Sequence, residues 1–168
     1  MTAAPAARLF TLAIIPAFKS PVAVLWDGAL VEQCTVSARG DAIASLLSRV
    51  RTQQPSCEIC VVVQDAPWPR TDAPATSSEI GRAQAITETT ARWAALCEEH
   101  GLRLARVRRA TWIVSLLNRG VGRKGPDDRL DAMRTAQELA HASVLPTHAD
   151  AVCLAYWHVA QDGVAATG

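Results

Sequence analysis

Apolar residues fall along this chain in blocks whose spacing changes from every second position to every third or fourth and back, and the elements follow from those periods. Residues 8–15 (RLFTLAII) are a short apolar run closed by Pro16, residues 22–26 (VAVLW) a second, and residues 29–37 (ALVEQCTVS) a third. Asp27-Gly28 between the last two is a two-residue hairpin signal, so three antiparallel strands are expected. From Ala42 to Gln53 the period lengthens: Ile43, Leu46, Leu47 and Val50 share one helical face, with Asp41 placed to cap it. Residues 57–64 (CEICVVVQ) are nearly continuously apolar and β-branched, the composition of a strand buried on both faces. The helix before them implies parallel pairing with the first strand.

Residues 65–78 (DAPWPRTDAPATSS) are rich in Pro, Ala and Ser without periodicity, which reads as a surface loop. Ser77 or Ser78 then caps a helix over residues 79–100, with Ile80, Ala83, Ile86, Ala91, Trp93, Ala94 and Leu96 as its apolar positions and Gly101 as its C-cap. A strand over 102–107, a short helix over 110–117 and a basic loop over 118–126 (NRGVGRKGP) follow. A helix over 127–142 carries Leu130, Met133, Ala136, Gln137 and Leu139 on one side. The last packed stretch, 145–158, is an apolar helix that Asp150 opens. Pro146 stops the preceding segment, Thr147 can cap, and a helix dipole favours a negative charge in the first turn, while Val152, Leu154, Ala155 and Val159 pack. Three strands, helix, strand, long helix, strand, helices is the order of an α/β protein with a mixed five-stranded sheet flanked by helices, the ribonuclease H-like arrangement. One domain over residues 8–160 is expected, with flexible ends at 1–7 and 161–168.

Composition narrows the function. With 168 residues, 49% hydrophobic and 20% charged, the chain can bury one proper core. Its apolar runs break well before the roughly 20 residues a membrane span needs, and its start has no basic region followed by an apolar core, so neither a membrane nor secretion is expected. Cys34, Cys57, Cys60, Cys97 and Cys153 are odd in number and most sit in apolar runs as free thiols would, which places the chain in a reducing cytoplasm. Cys57 and Cys60 form a CxxC, but no second pair follows to complete a zinc site. The net charge is only +1. Residues 103–134, however, hold nine basic side chains against three acids, a local excess of six. Arginine forks suit phosphate, and Gly120, Gly122 and Gly125 let the backbone lie close to a ligand, so this block is either a DNA-backbone surface or an ordinary solvated face. Trp68 and Trp112 either stack on unpaired bases or pack.

Several separate stretches share a resemblance. Ile80-Gly81-Arg82-Ala83-Gln84-Ala85, Ala110-Thr111-Trp112, the basic loop Arg123-Lys124-Gly125 running to Arg129, and Ala149-Asp150-Ala151 with His158 eight residues on are similar, in that order, to motifs of the RuvC-type Holliday junction resolvases. The chain resembles that family over roughly residues 8 to 159. The resemblance implies a homodimer on DNA, branched or duplex, and phosphodiester hydrolysis in which clustered carboxylates hold two Mg²⁺ or Mn²⁺ ions about 4 Å apart.

Carried onto this sequence, the family's acidic positions fall at Ile15, Gln64, Thr147 and Asp150, and only Asp150 is an acid. Hard cations are held mainly by anionic oxygen, so this set implies a degenerate nuclease without tight binding of two divalent ions. A second reading keeps an active, structure-selective endonuclease: Asp65 stands in for Gln64 and His148 for Thr147, leaving Asp65, His148 and Asp150 around a metal. Neighbours on a strand point to opposite faces, so Asp65 serves only if its strand has already ended. On the first reading Arg108, Arg109, Arg119, Arg123, Lys124 and Arg129 remain as DNA-binding residues. A third reading is a structural subunit whose fold serves protein contacts in a nucleoprotein assembly.

Overall fold

The computed structural model describes residues 9–65, 76–117 and 127–165. At Asp27 and Gly28 the backbone takes φ of 45° and 79°, the sign that a two-residue primed hairpin turn needs. The turn joins β2 (Lys19–Trp26) to β3 (Ala29–Ser37) and pairs Trp26 with Ala29. With β1 (Leu9–Ile14), β4 (Glu58–Asp65) and β5 (Arg103–Arg108) these strands form one sheet in the order β3-β2-β1-β4-β5. Strands β3, β2 and β1 are antiparallel neighbours, whereas β1 with β4 and β4 with β5 pair in parallel. The parallel pairings are those that helical crossovers permit. The helices are α1 (Ala42–Gln53), α2 (Ser77–Glu99), α3 (Arg109–Leu117), α4 (Asp127–Ala140) and α5 (Ala149–Ala165).

Alternation along the strands feeds two cores. Leu12, Ile14, Val61 and Val63 meet Ile43, Leu47, Val50 and Trp93 from α1 and α2. Their neighbours Ala13, Ala23, Cys60 and Val62 meet Trp112, Ala136, Val152 and Leu154 from α3, α4 and α5. Both faces of β4 are covered, which is why its sequence reads as a continuous apolar run. The second layer is built from small groups: Ala149, Ala151, Cys153 and Ala155 are buried among Ala13, Ala23, Ala132 and Ala136, so α5 can lie close to the sheet and to α4.

Several expectations shift. β2 starts at Lys19 and contains Pro21, which is tolerated because β1 ends beside it and the Pro21 carbonyl still accepts from the Ile15 amide at 3.1 Å. β4 and β5 each run one residue later than the apolar pattern suggests, which puts Asp65 inside a strand. Asp41 stands at the start of α1 without a side-chain capping bond. Thr76, and neither Ser77 nor Ser78, caps α2, because a Thr-x-x-Glu spacing lets Glu79 answer the Thr76 backbone N–H.

The apolar face read along α2 does not reach the core in its first half. Its buried residues are Thr89, Thr90, Trp93 and Cys97, and Ile80 is 45% exposed. Twenty-three helical residues span roughly 35 Å against about 26 Å for the eight-residue β4, so the first turns outrun the sheet. In α4 the buried positions are Ala132 and Ala136, while Leu130 is 63% exposed and Gln137 exposed. That helix turns its smallest residues to α5. It ends at Ala140, with His141 at φ 48°. α5 continues to Ala165, past the expected domain end at residue 160. The expected flexible N-terminus, 1–7, lies outside the described residues.

Candidate functional site

Parallel pairing sets Ile14 beside Val63, so the next residues, Ile15 and Gln64, mark the carboxyl ends of two adjacent central strands. Both belong to the face covered by α3 and α5: Ile15 packs half-buried on that layer, and Gln64 receives a hydrogen bond from it. The donor is the Nε1–H of Trp112, fully buried on α3, at 3.0 Å from the Gln64 Oε1. An acceptor is what a buried indole N–H requires, and an uncharged amide supplies it without burying a charge. Three residues before Trp112, one helical turn away, Arg109 lays its guanidinium 5.9 Å from the indole centroid. The same guanidinium stands 3.8 Å from the Oδ2 of Asp150 in the first turn of α5. Gln64, Trp112, Arg109 and Asp150 thus form one continuous line from the sheet to the surface.

Asp65 goes elsewhere. It is still in β4, so its side chain leaves the opposite face from Gln64, and Arg106 holds it through Nε and Nη2, each 2.8 Å from Oδ1. The strand has not ended, which was the condition for Asp65 to join Asp150. His148 is buried: its Nε2 lies 2.8 Å from the Cys34 carbonyl and its Nδ1 3.0 Å from the Thr147 hydroxyl. A carbonyl can only accept, so Nε2 donates, and the ring ties α5 to β3. Thr147 spends its hydroxyl on that ring. Among the described residues, no three His, Cys, Asp or Glu side chains are placed to hold a metal ion together.

Of the basic block, Arg108 and Arg129 are exposed and Arg109 is half-buried, while Arg119, Arg123 and Lys124 lie outside the described residues, as does Trp68. Trp112 packs. The CxxC sulfurs are separated by the sheet: Cys57 packs against the α1 and α2 layer and Cys60 lies in the α5 layer, so they cannot share one ion.

A second polar group was not foreseen beyond its His158. Cys60 Sγ lies 3.2 Å from His158 Nε2, which is 3.5 Å from Asp162 Oδ2, and Arg103 bridges Asp162 and Glu58 at 3.2 and 3.3 Å. The i,i+4 spacing of His158 and Asp162 was the available signal. Burial pushes the Cys60 thiol up to about 11, which keeps it a packing group and not a nucleophile. Burial also holds His158 below its ordinary value, with Asp162 opposing. Two turns of α5 separate this group from Asp150.

No protein-family model matches the chain, and no curated protein matches it. Among solved structures, Thermus thermophilus RuvC superposes with a TM-score of 0.61 at 14% identity, over 92% of this chain and 96% of that one. T. thermophilus RuvC in complex with a Holliday junction substrate gives 0.63 at 13% identity over the same shares. The fold is RuvC-like. At the four positions that the sequence resemblance matches to the family's acids, this chain has an isoleucine, an indole-bound amide, a threonine bonded to histidine, and an aspartate facing a guanidinium. One carboxylate paired with an arginine does not fit two divalent cations.

Proposed function

We propose that this chain is a nucleic-acid-binding protein on the RuvC-like fold that binds branched or duplex DNA without cutting it, a pseudonuclease acting in the cytoplasm. The observation that carries this reading is the Arg109–Asp150 contact, since Asp150 is the one acid among the four positions that the resemblance matches to the family's carboxylates. The exposed Arg108 and Arg129 and the basic residues 119, 123 and 124 support a phosphate-facing surface, and T. thermophilus RuvC was solved with a Holliday junction substrate. Five free cysteines support a reducing compartment. Among the described residues no helix is long and apolar enough to cross a membrane.

A gel shift with a four-way DNA junction and a linear duplex, at one stated salt concentration, tests the reading. Preferential binding of the junction is expected, and equal weak affinity for both removes junction recognition. Incubating branched DNA with the protein and Mn²⁺ decides the endonuclease reading through Asp65 and Asp150: no products are expected, and cleavage lost in Asp150→Asn would overturn the pseudonuclease. Unchanged DNA affinity in the Arg123→Ala, Lys124→Ala double variant would favour a structural subunit that meets a protein partner. Homodimerisation belongs to the same proposal. Ile80, Ala83 and Ile86 on the exposed first half of α2 are suited to a seam, whereas Trp93 is in the core. Light scattering on the intact chain measures it.

A further inference from the structure

One end of the sheet collects several chain turns: β1, β3, β4 and β5 finish there and β2 begins there. On the β5 side of that rim stand Arg108 and Arg109. On the other side, three residues beyond Ile15, the turn between β1 and β2 carries Phe18, which is 53% exposed. A lone exposed phenylalanine needs no explanation. This one is held outward by its surroundings. The buried Ser20 hydroxyl accepts from the Ala17 amide at 3.2 Å and donates to the Ala17 carbonyl at 3.0 Å, which closes the turn beneath the ring. The Phe18 carbonyl in turn accepts from the Ala38 amide at 2.9 Å.

The residue facing the ring is a cation. Arg39, itself exposed, places its guanidinium carbon 4.9 Å from the Phe18 ring centroid. Its backbone is fixed as well: the Arg39 amide donates to the Ser37 hydroxyl at 3.1 Å, and Arg92 on α2 donates to the carbonyls on either side of it, Ala38 at 2.7 Å and Gly40. A cation over a ring face spends no N–H donor on the ring, so the Arg39 fork can still meet an anion. Lys19 is exposed next to Phe18, and with Arg39 and Arg92 it outweighs Asp41, exposed two residues beyond Arg39. A benzyl ring and a planar guanidinium are both stacking faces, and every nucleobase has a π-face to match. In a duplex those faces are covered by neighbouring bases, so only an unpaired base can lie on this pair.

We propose that Phe18 and Arg39 form a stacking platform for an unpaired base of single-stranded or branched DNA, with Lys19 at the backbone phosphate beside it. The proposal rests on the nucleic-acid reading above and narrows it to substrates that expose unpaired bases. The two sides of the rim are about 19 Å apart at roughly 4.8 Å per strand, the length of about six stacked nucleotides at roughly 3.4 Å each. One DNA strand can therefore meet Arg108 and the platform together.

Fluorescence anisotropy of labelled oligo-dT and of a labelled blunt duplex, on the intact chain at several salt concentrations, tests this. Phe18→Leu keeps an apolar side chain and loses the ring; it is expected to weaken oligo-dT binding about tenfold, the scale of one base stack, with the salt slope and the duplex affinity unchanged. Phe18→Trp should restore the wild-type affinity. Lys19→Ala should lower the salt slope on oligo-dT by about 0.7, one phosphate contact on a single strand. Photocrosslinking with 5-iodouracil in place of thymine should attach the strand to the peptide that carries Phe18. Equal losses on oligo-dT and duplex in Phe18→Leu, no loss on oligo-dT, or crosslinks confined to other peptides would overturn the platform. So would a wild-type protein that binds the duplex or a four-way junction but not oligo-dT. Absence of binding to all three DNAs overturns the nucleic-acid reading itself, an outcome distinct from these.

Discussion

Gln64 and His158 are polar side chains buried by the same layer, and each is tolerable for a different reason. Gln64 is 7% exposed and accepts the Trp112 indole hydrogen, so Trp112→Phe leaves an amide oxygen in a packed site without its donor. A loss of about 1–2 kcal/mol is expected in urea unfolding, with the ring volume largely kept. His158 is uncharged most readily where it sits, since burial depresses its proton affinity from the ordinary 6.5. The unfolded chain therefore takes up that proton first, so this residue's share of stability is complete above pH 6.5 and falls as the pH drops below it towards the folded value. Unfolding midpoints measured across that range should decline on the acid side, and His158→Gln should flatten the decline.

Among the elements, α2 shows how capping and packing divide the labour along one helix. Its second half is anchored by Trp93 and Cys97 in the core, and Arg92 donates to the carbonyls of Ala38 and Gly40 beside α1. Its first half has few buried contacts and depends on the Thr76–Glu79 capping box. Removing that box by Thr76→Ala should cost about 1 kcal/mol locally. Because the first turns are exposed, hydrogen exchange of the amides near residue 79 should rise well before the global unfolding midpoint moves.

For the whole molecule, the layer under α5 carries both the site and much of the stability, because α5 touches β1, β2, β4, α3 and α4. Leu154 is fully buried there in a packed core that relaxes only partly around a void. Leu154→Ala should cost about 2–5 kcal/mol and lower the melting temperature. If the variant still folds, DNA affinity should change little, since Leu154 lies four residues beyond Asp150 and carries no charge.

Much of this architecture was written in local patterns. The Asp27-Gly28 turn, the α1 face and the doubly covered β4 follow from φ preferences and from period-two and period-3.6 burial, which neighbours in sequence suffice to encode. That Ile15, Gln64 and Thr147 carry no charge was equally readable, since it is a matter of residue identity. What neighbours cannot encode is which side chains from distant elements meet. Trp112 bonding Gln64 across 48 positions, Arg109 facing Asp150, and Asp65 turned away onto Arg106 depend on strand register and on where α3 and α5 cross the sheet. The sequence alone thus determined which side chains stand at positions 15, 64, 147 and 150; only the tertiary structure decided that a guanidinium stands beside Asp150, because that contact depends on where two distant helices cross the sheet.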